Sequence, residues 1–186
     1  MFYFYDEIMS LAEEVKVYKI SATEINNAMM GGVSLNELEA VHFARLIDEL
    51  ACDVKKIYVD SPDVVQSKFG SRISIISSKQ LSVMEGKRKK APAGAIKIIS
   101  EHKADSKYPV ASAASVIAKV TREREIDRIK EVIGDDFGSG YPSDEQTVEY
   151  IRRNLGSNAL KQFLRERWHT VSDIRQRHMP EFLDKD

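Results

Sequence analysis

Cysteine is almost missing from this chain of 186 residues: Cys52 stands alone, so no internal disulfide can form and a reducing compartment is expected. An excess of one charge is missing too. The 28 Lys and Arg residues nearly balance 29 Asp and Glu, leaving a net charge of −1. Any contact with nucleic acid must therefore come from a local cationic patch, not from the field of the whole molecule. No apolar run approaches the ~18 residues that a membrane-spanning helix needs. The aromatic opening Met1-Phe-Tyr-Phe-Tyr lacks the basic flank and small-residue cleavage site of a secretory signal. No membrane partner is expected, and the cytoplasm is the expected location. The four histidines show no His-x-x-x-His spacing, which argues against a zinc site. Walker A, Gly-x-Ser-x-Gly and dinucleotide-binding patterns are absent, as are internal repeats and low-complexity segments. What is present is an ordinary globular composition, 42% hydrophobic and 31% charged, at a one-domain length.

Strand and helix signals alternate along the chain. Residues 2–14 read as a helix, with Ile8, Leu11, Ala12 and the following Val15 at helical spacing, and 15–20 alternate as a strand would. Ser21 with Glu24 and Ser34 with Glu37 form two capping-box patterns. The first opens a short helix stopped by Gly31-Gly32, the second a helix to about Ala51 with Ala40, Phe43, Ala44, Ile47 and Leu50 on one face. Residues 55–60 read as a strand ended by Ser61-Pro62, and 63–80 are ambiguous between strand and helix. A basic loop over 86–94 (with Lys87-Arg88-Lys89-Lys90) is read as solvated, and 95–100 form another strand. A long helix is expected from about Pro109 to Ile133, with Gly134 just beyond it. A Gly138–Pro142 turn follows, then a helix from Ser143 to Leu155 capped through Gln146, and a last helical run from 158 to about 168. This order predicts an α/β domain.

The chain is arranged around residues 101–125, EHKADSKYPVASAASVIAKVTRERE. Asp60 and Asp105 each end a predicted strand and precede a turn, the position where open α/β sheets place their sites. Adjacent strand ends would bring the two carboxylates together, a like-charge pair that calls for cations, and hard oxygen donors select Mg²⁺ or Mn²⁺. Each aspartate could equally cap its own turn. Lys103, Lys107, Lys119 and Arg122 are candidate phosphate partners, or, for the last two, a solvated helix face. His102 reads as a structural, hydrogen-bonded histidine. Tyr141, held in Gly-Ser-Gly-Tyr-Pro-Ser, could stack on a sugar or base, or anchor its own turn. Asp6-Glu7 lies within an amphipathic helix and reads as a solvated face.

Residues 102–125 together with Tyr58-Val59-Asp60-Ser61 upstream and Gly138-Ser139-Gly140-Tyr141-Pro142-Ser143-Asp144 downstream resemble, in order and spacing, the type 2 ribonuclease H family, ribonuclease HII, in its archaeal form. The resemblance runs from the first helix to about Thr170. It implies an RNase H-like mixed sheet flanked by helices, a single domain over 1–186 with a helical part from about 143, and a monomer. It also implies cleavage of the RNA strand of RNA–DNA hybrids, and of ribonucleotides embedded in duplex DNA, by a two-metal mechanism with Mg²⁺ or Mn²⁺. Asp60 and Asp105 match the family's third and fourth carboxylates, Asp60 a direct metal ligand and Asp105 beside the second metal. Tyr141 matches the tyrosine that senses the ribonucleotide–deoxyribonucleotide junction. The family's opening strand, with Asp-Glu-Ala-Gly-Arg-Gly, has no counterpart here, so the sheet is expected to miss its first strand. Asp6-Glu7, followed by Ile-Met-Ser, is no substitute. The alternative implied is a nucleic-acid-binding remnant with impaired catalysis.

Overall fold

A computed structural model describes residues 2–84 and 92–178. The basic loop around Lys87–Lys90 lies outside the described residues. Helices α1 (Phe2–Leu11), α2 (Ala22–Met30) and α3 (Leu35–Glu49) come first. Strand β1 (Lys56–Asp60), helix α4 (Gln66–Ile76) and strands β2 (Leu81–Val83) and β3 (Ile96–Glu101) follow. The chain then continues through α5 (Ala104–Lys107), α6 (Pro109–Ile133), α7 (Glu145–Asn154), α8 (Asn158–Lys161) and α9 (His169–His178). No helix among the described residues is long and apolar enough to cross a membrane.

The strands form a sheet in the order β1-β3-β2, with both ladders parallel. α4 carries the chain from β1 to β2, the two outer strands, both of which run parallel to the central β3. In the β1–β3 register Asp60 faces Glu101, so both strands finish level at their carboxyl ends.

The chain forms two compact units: Met1–Lys19 with Val33–Thr121, and Ile20–Gly32 with Arg122–Asp186. In the first, Ala40, Ala44, Ile47, Val59, Phe69, Ile73 and Ile98 make one buried cluster from α3, β1, α4 and β3. In the second, Ile151, Leu160, Leu164, Val171 and Ile174 make another. Asn26 of α2 is tied into the second unit, donating to the Leu164 carbonyl at 2.8 Å and accepting from the Glu166 N–H at 2.9 Å.

Both capping patterns work as expected: Ser21 accepts from the Glu24 N–H, and Ser34 forms a complete capping box with Glu37. Several expectations need correction. Residues 15–20 do not pair as a strand. Instead Glu14 accepts from the N–H groups of Ala51 and Cys52, beyond the end of α3, and Tyr18 stacks on His42. The alternation there found a helix to lie against, not a strand. The ambiguous 63–80 resolves into α4 and part of the approach to β2, because Phe69 and Ile73, four apart, bury one helical face while Ile75 stays 83% exposed. α8 is only one turn long, and α9 lies beyond the helical run expected from 158 to about 168.

Candidate functional site

The carboxyl ends of β1 and β3 are cross-linked in both directions. Ser61 donates its N–H to the Glu101 carbonyl at 3.0 Å, which extends the parallel ladder by one residue. The Ala104 N–H donates to Asp60 Oδ1 at 3.2 Å, so the first turn of α5 is fastened to the Asp60 carboxylate. Asp105 is the next residue. The two predicted aspartates therefore stand on adjacent turns of the backbone, and Asp105 Oδ1 accepts from the Ser106 hydroxyl at 3.4 Å. Lys103, just before α5, holds a left-handed backbone with φ 54°. That conformation costs a non-glycine residue of order 1 kcal/mol and persists only where its surroundings impose it. Here it lets the chain reverse from β3 into α5 with the Ala104 N–H aimed at Asp60.

Two neighbours were not foreseen from the sequence. Glu101 forms an ion pair with Lys107 at 2.7 Å. The hydrogen bond from Lys107 lowers the Glu101 pKa, and the same bond donated to Glu101, with a smaller push from Asp60, raises that of Lys107. The two shifts agree on a formed pair. Lys107 is thus engaged by a protein carboxylate. Lys103 and Lys119 are exposed. Asp63 is buried at 8% exposure and accepts from Asn36 at 2.8 Å. Its Oδ2 makes no well-angled hydrogen bond yet lies 3.0 Å from Arg72, so charge attraction covers it. His102 Nε2 sits 2.6 Å from the Asp63 carbonyl oxygen, a second tie between the two strand-end turns and the structural role expected of it. The signal for Asp63 was visible in principle: an acidic residue three positions after the strand and nine before an arginine on the following helix.

In the second unit Tyr141 projects from a turn that is almost fully specified. Asp144 Oδ2 accepts from the Ser139 N–H at 2.6 Å and hydroxyl at 2.7 Å, and from Thr147 at 3.0 Å, while Oδ1 accepts from the Gln146 N–H at 3.1 Å. These bonds, the Ser139 N–H first, hold its pKa down to about 2. Asp144, not Ser143, caps α7, because its carboxylate reaches both the helix end and the turn. Gly138 (φ 84°) and Gly140 (φ 73°) occupy conformations that side chains resist. A Cβ on Gly138 would collide with the Asp144 carboxylate, and one on Gly140 would lie 2.8 Å from Ile126. Tyr141 is 47% exposed, and the Arg122 guanidinium lies over its ring.

The ribonuclease HII family model matches residues 5–171. The chain belongs to the ribonuclease HII family. The Archaeoglobus fulgidus ribonuclease HII is 38% identical over 178 residues, 92% of this chain and 77% of that protein. The Pyrococcus furiosus ribonuclease HII is also 38% identical, over 92% of this chain and 69% of that one. The crystal structure of ribonuclease H2 from Pyrococcus horikoshii superposes with a TM-score of 0.74 at 35% identity, over 94% of this chain and 74% of that one. The ribonuclease HII in a PCNA complex from A. fulgidus gives 0.70 at 35%, over 96% and 80%. Ribonucleases HII are endoribonucleases and typically depend on divalent metal ions. Asp6 and Glu7 lie exposed on α1, the solvated face expected of them.

The donors described here do not complete a cation site of that kind. No group of three or more His, Cys, Asp or Glu side chains among the described residues is placed to hold a metal ion. Asp60 spends one oxygen on the Ala104 N–H, and Glu101 is neutralised by Lys107.

Proposed function

We propose that this chain carries the recognition turn and two of the carboxylates of a ribonuclease HII. Its substrate is the RNA strand of an RNA–DNA hybrid or a ribonucleotide embedded in duplex DNA, and the family reaction is endonucleolytic phosphodiester hydrolysis with Mg²⁺ or Mn²⁺. Support comes above all from the 3.2 Å bond between the Ala104 N–H and Asp60 Oδ1, which makes Asp60 and Asp105 neighbours in a chain of this family. In this reading Asp60 and Asp105 serve the scissile phosphate, Lys103, Lys107 and Lys119 face the phosphate backbone, and Tyr141, with Arg122 against one face of its ring, stacks on the sugar at the ribonucleotide. The 2′-hydroxyl is the group that separates RNA from DNA at such a site.

The incomplete donor set favours a second statement: the 186 residues bind such duplexes far better than they cut them. Removing one electrostatic contributor costs ~10²–10³ in rate, and a cation site short of carboxylates loses more. The test is to measure binding and incision by the 186-residue chain on duplex DNA holding one ribonucleotide, with Mg²⁺ and then Mn²⁺. Binding with little incision is expected, and Asp60→Asn or Asp105→Asn should leave binding largely intact. Efficient incision would overturn the incomplete-site reading. No preference for the ribonucleotide-containing duplex would overturn the substrate reading.

A further inference from the structure

Arg122 and Tyr141, which the sequence presents as a phosphate contact and a stacking residue, form a single unit. The Arg122 guanidinium carbon lies 3.6 Å from the centre of the Tyr141 ring, and Nη2 donates to the Ser139 carbonyl at 2.9 Å. A cation at that distance is in contact with the ring and closes that face to any other group. Tyr141 is still 47% exposed, so the opposite face is the one a ligand meets. Ile126, four residues further along α6, stands against Gly140. Residues four apart share a helix face, so 122 and 126 make one seat for the turn. An arginine whose planar fork is committed to a carbonyl and a ring is poorly placed to grip a phosphate as well.

We propose that Arg122 is a specificity-determining positioning residue: it acts through Tyr141, closing one ring face and presenting the other to the sugar of a ribonucleotide in duplex DNA. This rests on the reading above that Tyr141 meets the ribonucleotide. Lysine keeps the charge of Arg122 but has no planar fork, so it cannot cover the ring and hold the Ser139 carbonyl in the same way. A simple phosphate contact behaves differently. Its loss weakens binding to ribonucleotide-containing and all-deoxy duplexes alike and flattens the salt dependence by about 0.9 in the log–log slope.

The experiment titrates the 186-residue chain by fluorescence anisotropy against a duplex holding one ribonucleotide and its all-deoxy twin, at several salt concentrations. The proteins are the wild type, Arg122→Lys, Arg122→Gln, Tyr141→Ala and the Arg122→Lys/Tyr141→Ala pair. Arg122→Lys is expected to lose most of the ribonucleotide preference, roughly tenfold or the scale of one aromatic stacking contact. The salt slope should stay unchanged in both Arg122 variants, and the double variant should be no worse than Tyr141→Ala. Thermal melts check folding, and if one Arg122 variant melts early the other decides. Full preference in Arg122→Lys, with Tyr141→Ala losing it, overturns this inference alone. So does a flattened salt slope in Arg122→Gln with the preference intact. A wild type without preference overturns the substrate reading and this inference with it.

Discussion

The turn that presents Tyr141 and the paired turns that present Asp60 and Asp105 handle charge in opposite ways. At Tyr141 one carboxylate, Asp144, receives four hydrogen bonds and holds the loop to the start of α7. At Asp60 the carboxylate receives one from the backbone, and the neighbouring Glu101 is matched by Lys107. The first arrangement is complete within these residues, and its two glycines supply the positive-φ backbone that side chains resist. The second is a partial donor set. A surface that reads a ligand gains from being fixed before the ligand arrives. Carboxylates that hold cations must keep oxygens free of protein donors. The comparison therefore separates a turn fixed by its own hydrogen bonds from strand ends that leave carboxylate oxygens available.

The largest expected effect comes from the core behind the Asp60 turn. Phe69 is fully buried in the cluster with Val59 and Ile98, and Phe69→Ala should cost about 3–5 kcal/mol. Hydrogen exchange should show protection falling in β1 and β3 while 138–147 keep theirs; equal loss in both would break the comparison. Next is Gly138→Ala, which places a side chain at φ 84° against Asp144. A cost of roughly 1–3 kcal/mol is expected, with loss of ribonucleotide preference and no change in the exchange of β1. Retained preference would mean that the turn need not be fixed.

A smaller effect is carried by pH. The Asp144 pKa is depressed to about 2, so the unfolded chain takes up the proton first. Its stabilising contribution is complete above the ordinary aspartate range and disappears as pH falls through that range to about 2. Unfolding followed against pH should show this loss in the wild type and a flatter profile in Asp144→Asn. Identical profiles would remove Asp144 from its role. The smallest effect is expected from Lys107→Gln, which breaks an exposed ion pair. The Glu101 carboxyl should return upward toward its ordinary value in an NMR titration, with melting little changed. A large drop in melting would mean that the Asp60 region depends on that pair more than the geometry indicates.

Local chemistry was legible wherever a few adjacent residues settle the outcome. Ser21 and Ser34 cap helices because hydroxyl and N–H are three residues apart. Pro109 opens α6, as its fixed φ and missing N–H allow, and Asp60 ends a strand before Ser61-Pro62. The catalytic-looking neighbourhood of Asp60 and Asp105 was legible from strand order and from resemblance to ribonuclease HII. The extended 15–20 segment was misread because alternation records a pattern of exposure and not the identity of a partner. Asp144 was overlooked behind Ser143 because either residue could cap α7, and the choice fell to contacts with Ser139 and Thr147.

By itself the sequence determined the capped starts of α2 and α3, the strands that end at Asp60 and Glu101, the turn that carries Tyr141 and the family. These follow from interactions within a few residues or from motifs that survive as strings. Only the tertiary structure decided that Lys107 is held by Glu101, that Asp63 lies buried against Arg72 and Asn36, and that Arg122 covers a face of Tyr141. Charged and aromatic side chains have many possible partners of nearly equal strength in water. Which of them pair is set by where packing of the apolar residues brings the backbone, and that is a property of the whole fold.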